Sequence, residues 1–521
     1  MRRLVTGKQM KEIDAYAIQT VGIPSMVLME RAALSVADEL ELEYKKTGKK
    51  PFEKAVTLIF CGTGNNGADG AAIARILHLR GFQVSVITVG DRERWTEEMR
   101  SQIEIDEKLG IAVESFGGYL PGRFDVAVDA IFGVGLTRDV EGEFKEAVEF
   151  LTGLTPEFTV AVDIPSGISS ETGRVMGTAV KADLTVTFGY EKVGTAIYPG
   201  KGYSGRVAVK DIGFPDFDSY EGKRYFTYEP GDQSRIPGRK KDSHKGTYGK
   251  VLIAAGSKGM CGAAYLSALS AYRTGAGLVK ILTVDGNVPM LQTLLPEAII
   301  TSYPEEMEAE EPEAFRDLVE RECAWASVIV LGPGLGRGRH VVKLTEYVLL
   351  SAYVPIILDA DGLNTVAEYP HLAEFFTENV IVTPHLGEMA RLVEKDIAEL
   401  REDLPGAAVG YCEEKGVTCV LKDAVSVVAG KDGSVYINSS GGGAMAKAGS
   451  GDVLTGLIAG LIALGLQEDE AAAMGVWLHG LAGERAAAGR GEHSILAREI
   501  ADSIMQEDGN GRTIQQNLCG N

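Results

Sequence analysis

AVTLIFCGTGNNGADGAAIARILHLRGFQVSVITVG, residues 55–90, sets the fold class of this chain. An apolar run (VTLIF) passes through a Gly/Asn-rich turn into a helical pattern (AAIARILHLRG), and a second apolar run (VSVITVG) follows. That order is a β-α-β unit. Two more buried-strand candidates, DVAVDAIFG (125–133) and TVAVDIPSG (159–167), each carry an acidic residue shortly before a Gly-containing loop. Strands alternating with helices imply a parallel sheet, and such sheets collect ligands beyond the carboxyl ends of their strands. The first functional candidates are therefore the polar residues at those ends: Asn65, Asn66, Asp69, Asp129, Asp163 and Ser166.

Periodicity lapses in FPDFDSYEG (214–222), and a segment rich in Pro, Gly and charge follows at EPGDQSRIPGRKKDSHKG (229–246). We place a domain boundary here, giving domains 1–227 and 228–521. A second α/β alternation then runs through KVLIAAGS, SVIVLGPGLG, PIILDADGLN, VIVTPHLGE and CVLKDAVSVV. It ends in GGGAMAKAGSGDVLTGLIAGL (441–461), where a glycine-rich turn leads into an apolar helix read as starting at Asp452. Helix-opening amides and the helix dipole favour an anion there, so Gly449-Ser450-Gly451 reads as a phosphate cradle. Asp452 beside it is placed to take a proton from a reacting hydroxyl; the alternative is that it only caps the helix. His385 sits at another strand end, and Asp359 and Asp361 could hold magnesium through water or cap the next helix. The acidic stretch EEMEAEEPE (305–313) reads as a solvated loop or helix start.

Composition narrows the class of function. A chain of 521 residues exceeds one hydrophobic core, and the net charge of −21 repels polyphosphate backbones, so a dedicated nucleic-acid binder is not expected. Cys61, Cys261, Cys323, Cys412, Cys419 and Cys519 form no CxxC pair and no dense cluster, which signals neither zinc nor a disulfide framework. The start MRRLVTGKQMKEIDAY reads as an amphipathic helix without a secretory pattern, and no stretch approaches a membrane span. A cytoplasmic enzyme acting on small molecules is expected, with no membrane partner.

In the first half GNNGADG, DAIFGVGLTRDVEG, VDIPSGISSETG and KADLTVTFGYEKVG follow one another in an order that resembles the epimerases of hydrated NADH and NADPH. The resemblance implies a Rossmann-like fold, a potassium ion held by Asn66, Asp129 and Ser166, and interconversion of the two C6 epimers. It also implies a dinucleotide pocket formed by Asn65, Asn66, Gly67, Ala68 and Asp69, by Gly133, Val134, Gly135, Leu136, Thr137, Arg138 and Asp139, and by Asp163. Asp129 is the acid/base candidate. Ala68 stands where that family usually has a glycine, and its methyl could crowd the ligand or force a φ adjustment.

In the second half DSHKGTYGKVLIAAGS, GAGLVK, GPGLG, LDADGLN, TPHLGEMARL, LKDAVS and GSGDVLTG span most of residues 240–483 and resemble the nucleotide-dependent dehydratases of the same hydrates. The implied fold is ribokinase-like. The implied chemistry phosphorylates the ring hydroxyl of the S-hydrate, so that phosphate departs in place of hydroxide; ADP would give AMP and phosphate, with magnesium offsetting charge. By position, Asp452 is the catalytic base, while Asp452, His385, Ala263 and Gly336 contact the hydrated dinucleotide. Lys422, Asp423, Ala424, Val425, Ser426 and Gly451 would hold the adenine nucleotide. Asp423 replaces the more usual glycine and is expected to repel that nucleotide unless its side chain faces away, and Ala448 precedes Gly449 where a second glycine is usual. A homo-oligomer is also expected. The competing readings are a ribokinase-like vitamin or sugar kinase, told apart by a stable phosphorylated product, and an N-terminal binding or scaffold module, against which Asn66, Asp129 and Ser166 argue.

Overall fold

The computed structural model describes residues 1–47, 51–118, 124–217 and 222–505; Cys519 and part of the FPDFDSYEG segment lie outside them. Two units divide the chain, one formed by Arg3–Tyr225 and the other by Met1–Arg2 with Phe226–Asn521.

In the first unit seven parallel strands lie in the order Ala112–Ser115, Gln83–Thr88, Val56–Cys61, Val126–Ala130, Phe158–Val162, Leu184–Phe188 and Arg206–Lys210. Period-two alternation sends Ile59, Val128 and Val160 into one apolar cluster and Leu58, Phe60 and Ala127 into another, so the central strands are buried on both faces. The helices Ser25–Thr47, Asn65–Leu79 and Glu97–Lys108 supply the first cluster, and Gly142–Gly153 the second. The amino-terminal helix Gly7–Ala15 begins after a short strand: Thr6 caps it, and Thr6 and Gln9 satisfy each other's backbone amides.

The second unit also has a parallel core, ordered Ile299–Tyr303, Leu278–Val284, Lys250–Ala254, Val328–Leu331, Ile356–Leu358, Val380–Val382 and Thr418–Leu421. An antiparallel extension of Val427–Ala429 and Ser434–Ile437 follows. The helix Ser450–Ala463 is buried continuously from Val453 to Leu461 and packs between Cys261–Thr274 and Glu468–Arg490. A helix apolar on every side must be enclosed in this way. Two hydroxyls anchor its first turn, Ser267 donating to the Asp452 carbonyl at 3.0 Å and Ser270 to that of Val453 at 2.6 Å.

Both halves are thus α/β with parallel sheets. Two local expectations change. The helix starts at Ser450, not at Asp452. The acidic stretch is two helices, Met307–Glu310 and Pro312–Trp325, and Glu308 is buried against Arg339. Among the described residues no helix is long and apolar enough to cross a membrane.

Candidate active sites

At the carboxyl ends of the first sheet lies a cavity of about 780 Å³, large enough for a good part of a dinucleotide. Asn65, Asn66, Asp69, Asp163 and the run Gly133–Arg138 line it, joined by Asp14 and Lys192, which sequence reading did not single out. Helix geometry sorts the NNGAD motif. The helix begins at Asn65, so residues 65, 66 and 69 face the cavity while Gly67 and Ala68 turn into the core. Neither Gly67 nor Ala68 lines the cavity, which corrects the expectation for both. Ala68 is fully buried among apolar side chains, so its methyl fills core space and does not crowd a ligand. Gly67 is the position that tolerates no side chain, because a Cβ there would lie 2.0 Å from the Gly62 carbonyl oxygen. Gly67→Ala should accordingly cost ~2–4 kcal/mol of stability. Ala68→Gly should cost only about 1–2 kcal/mol, through helix propensity and a lost methyl, and should not raise epimerisation. Denaturant midpoints and epimerisation rates of the two variants check this.

Asp139 also falls outside the cavity, half-paired with Arg174 at 3.6 Å. Asp129 and Ser166 lie behind the lining residues. Ser166 donates its Oγ to Asp129 Oδ1 at 2.6 Å and its amide to Oδ2 at 2.7 Å, and the Ile131 amide donates to Oδ1 at 3.2 Å. Burial pushes the Asp129 carboxyl up to about 6 despite these donors. The donor set there is all oxygen: Asp129, Ser166, the Phe132 carbonyl 3.4 Å from Ser166 Oγ, and Asn66 against Gly133. The Asn66 amide is buried with Nδ2 unpartnered, and since the two ends of an amide exchange readily, its oxygen can occupy that place. A hard monovalent cation suits such a set.

Asp163 and Lys192 form a buried ion pair on the cavity wall. Lys192 also donates to Thr187 Oγ1 at 2.9 Å and the Phe188 carbonyl at 3.2 Å, using all three protons. Its backbone is fixed by parallel pairing of Leu4 and Val5 with Glu191 and Lys192. Burial, then the charges of Asp163 and Asp14, push the Asp69 carboxyl well above the usual range.

In the second unit Gly449, at φ 91°, is the residue preceding the Ser450–Ala463 helix, and a Cβ there would meet Leu266 at 2.6 Å. Asp452 occupies the first turn itself, so capping does not explain it. Burial first, and Asp359 second, push its carboxyl up to about 6. Beneath the turn Lys422 is paired with Asp359 at 2.6 Å, and a Cβ on Gly451 would stand 3.4 Å from the Lys422 ammonium. Burial alone would lower Lys422, but Asp359 and Glu388 hold it above its ordinary value. Ala360, at φ 50°, turns the chain so that neighbouring carboxylates part: Asp359 enters the ion pair and also accepts from Thr383 at 2.7 Å, while Asp361 accepts from the Gly336 amide at 2.7 Å. Both carboxylates are thus hydrogen-bonded, and among the described residues no group of three His, Cys, Asp or Glu could hold a metal directly.

His385 is a helix cap. Its Nδ1 accepts from the amides of Gly387 and Glu388, at 2.9 and 3.3 Å, while Glu388 accepts from the His385 amide at 2.8 Å. An accepting Nδ1 places the ring proton on Nε2, which stands 3.4 Å from Glu388 Oε1 on a half-exposed side chain, and burial with Lys422 nearby lowers the imidazole's pKa and favours the neutral ring. Gly336 stands near Ser257 and Met260, and Ala263 near Gly334, which brings two loops named from sequence together. Among the proposed nucleotide contacts Asp423 sits 4.0 Å from Arg401, which offsets its charge. Val425 is buried. Ala448 is exposed. His479, which sequence reading missed, is buried beside Ser450 Oγ at 3.3 Å.

Family models match both halves: one described as YjeF-related protein N-terminus over residues 25–194, and one described as NAD(P)H-hydrate dehydratase over 251–506. The chain is 38% identical over 513 residues to the bifunctional NAD(P)H-hydrate repair enzyme Nnr of Moorella thermoacetica, covering 96% of each. It is 37% identical to the protein of the same name from Thermofilum pendens, covering 94% of this chain and 93% of that one. Among solved structures, the ADP/ATP-dependent NAD(P)H-hydrate dehydratase from Bacillus subtilis co-crystallized with ATP/Mg2+ is 31% identical, with a TM-score of 0.43, over 52% of this chain and 92% of that one.

Proposed function

The chain belongs to the family of bifunctional NAD(P)H-hydrate repair enzymes, and from that membership we propose how its residues divide the work. The amino-terminal half epimerises hydrated NADH and NADPH, and the carboxyl-terminal half dehydrates them with a nucleotide. The observation that carries the second assignment is Asp452: a carboxyl in the first turn of a buried helix, next to an anion-binding turn and pushed up to about 6, is poised to accept a proton near neutral pH.

In this reading the helix-opening amides at Gly451 and the Lys422 ammonium beneath them receive nucleotide phosphate, and the backbone of residues 422–426 holds the rest of the adenine nucleotide. Asp452 takes the proton of the C6 hydroxyl of the S-hydrate as that oxygen attacks the terminal phosphoryl group. The C6–O bond then breaks and phosphate leaves with the former hydroxyl oxygen, a proton is lost from C5 to solvent, and the electrons of that C5–H bond restore the C5=C6 double bond. ADP is the donor and gives AMP. Magnesium bound with the nucleotide would offset charge on the transferred group, and Asp359 and Asp361 would be the nearby carboxylates to hold it through water. His385 Nε2–H, Ala263 and Gly336 orient the dinucleotide. In the amino-terminal half Asn66, Asp129 and Ser166 would hold a potassium ion, which would offset the buried Asp129 charge and steady the Ile131–Gly133 loop at the cavity edge.

Incubating the full chain with mixed hydrates and ADP should restore reduced-nicotinamide absorbance from both epimers. Asp129→Asn should leave dehydration of the S-hydrate intact and strand the R-hydrate. A stable phosphorylated dinucleotide in place of free phosphate would overturn the dehydratase assignment, and undiminished conversion of the R-hydrate by the variant would overturn the role of Asp129.

A further inference from the structure

The conformation of Asp163 demands an explanation beyond lining a cavity. It has φ 69°, a left-handed value that costs a non-glycine residue on the order of 1–3 kcal/mol. The Ile164 amide donates to the Val162 carbonyl at 2.9 Å, closing a three-residue turn of the strained positive-φ kind around it. Glycine would sit here without strain, so the side chain is what the position retains. That side chain is unusually constrained. Thr187 Oγ1 at 3.0 Å, the Phe188 amide at 3.3 Å and the Lys192 ammonium all donate to one oxygen, Oδ1. Among the described residues no hydrogen bond falls on Oδ2, and the residue lines the cavity. A structural ion pair has no use for this asymmetry, whereas a proton acceptor with one oxygen clamped and the other free does.

A second carboxyl reaches the same cavity. Asp69 projects from the helix that follows the strand Val56–Cys61, and Asp163 ends the strand Phe158–Val162, two positions away in the sheet. Their elements thus rise from strands two interstrand steps, about 10 Å, apart at the same end of the sheet, and both side chains line one cavity. Asp163 has a cation of its own in Lys192. Asp69 has none among the described residues, and the burial and neighbouring carboxylates described above favour its protonated form. A carboxyl clamped by an ammonium, facing the same cavity as a buried carboxyl with no cation, is an asymmetry that acid/base pairs use.

We propose that Asp69 and Asp163 are the two proton-transfer residues of the epimerase, with Lys192 as the positioning residue that clamps Asp163. This rests on the epimerase reading given above. In one direction Asp69 gives its proton to the C6 hydroxyl, the C6–O bond breaks, and water leaves as the N1 lone pair forms the N1=C6 iminium bond. A solvent water then adds to C6 from the other face, the new C6–O bond forms, and Asp163 Oδ2 takes the released proton. Return of the opposite epimer reverses the roles. One water leaves and one enters, and the proton moves from one carboxyl to the other.

The test uses the full chain, purified R- and S-hydrates, and water enriched in ¹⁸O. Wild type should incorporate one solvent oxygen at C6 per inversion. Asp163→Asn and Asp69→Asn should each lower kcat for inversion by roughly 10²–10⁴, with KM moved far less and dehydration of the S-hydrate unchanged in the same samples. Lys192→Met should lower kcat, and Lys192→Arg should restore part of it. KM guards against misfolding: a retained KM with lost kcat places the defect in chemistry. Inversion without label, or either Asn variant keeping more than about a tenth of kcat, would overturn the proposal. A wild type that inverts neither hydrate would overturn the epimerase reading itself.

Discussion

Asp452→Asn should lower nucleotide-dependent dehydration by roughly 10²–10⁴ while leaving epimerisation untouched, and the inactive protein should be the more stable one. Asparagine keeps the shape of the first turn and can still accept a hydrogen bond, but it cannot take the hydroxyl proton. The stability gain follows from the sign of the shift. The native carboxyl titrates near 6, above the ordinary 3.8, because burial and Asp359 disfavour its charge. Between these values the folded chain binds more protons than the unfolded one. The penalty is therefore fully present above about 6 and fades as pH falls toward 3.8. At neutral pH removing the charge should return about 1–3 kcal/mol to this half, less any attraction to Lys422 that the charge supplied. Two measurements decide the matter. The wild-type dehydration rate should fall as pH drops through about 6, and the variant's unfolding midpoint should exceed the wild type's at pH 8 with the difference shrinking toward pH 4. An active variant, or one less stable at pH 8, would remove Asp452 from the role of base.

That trade of stability for chemistry marks what local sequence could and could not reveal. Glycine-rich turns at the ends of apolar runs announce themselves, because period-two burial and helix-opening amides are local properties; GSGD and the NNGAD turn were legible for that reason. Which side of the helix each NNGAD residue faces was less so, since it depends on the helix starting at Asn65, and hence Ala68 was misplaced at the ligand when it belongs to the core. Lys192 lies inside a motif that sequence reading quoted, but its partner is 29 residues away, and only strand pairing with the amino-terminal segment brings the two together. The same holds for Lys422 and Asp359, 63 residues apart, and for His479 beneath Ser450. Charge pairs made across a parallel sheet leave no trace in local periodicity. The strained φ of Asp163 and Ala360 is likewise invisible, because sequence patterns lead one to expect glycine at such positions.

The Asp359–Lys422 pair should have the largest effect on stability of any single site in the second half. Asp359 is 2% exposed, and its Oδ1 accepts from both Thr383 and Lys422. Lys422→Met removes the cation but leaves the carboxylate enclosed, a change that costs about 3–5 kcal/mol when a buried pair is broken from one side. Removing both charges is a different matter, because the desolvation penalty disappears along with the attraction. Asp359→Asn combined with Lys422→Met should therefore recover most of the lost stability, with the side-chain carbonyl of the introduced asparagine still accepting from Thr383. Activity should not recover. The ammonium stands under Gly451, where nucleotide phosphate would rest, and a methionine offers no charge there. The double variant should accordingly be folded, with an unfolding midpoint near wild type, and should bind ADP at least about tenfold more weakly. Far-UV dichroism in denaturant and calorimetric titration with ADP give the two readouts. If the single variant is as stable as wild type, the pair is not the buried bridge described. If the double variant binds ADP normally, Lys422 serves the fold alone and the nucleotide is held entirely by backbone.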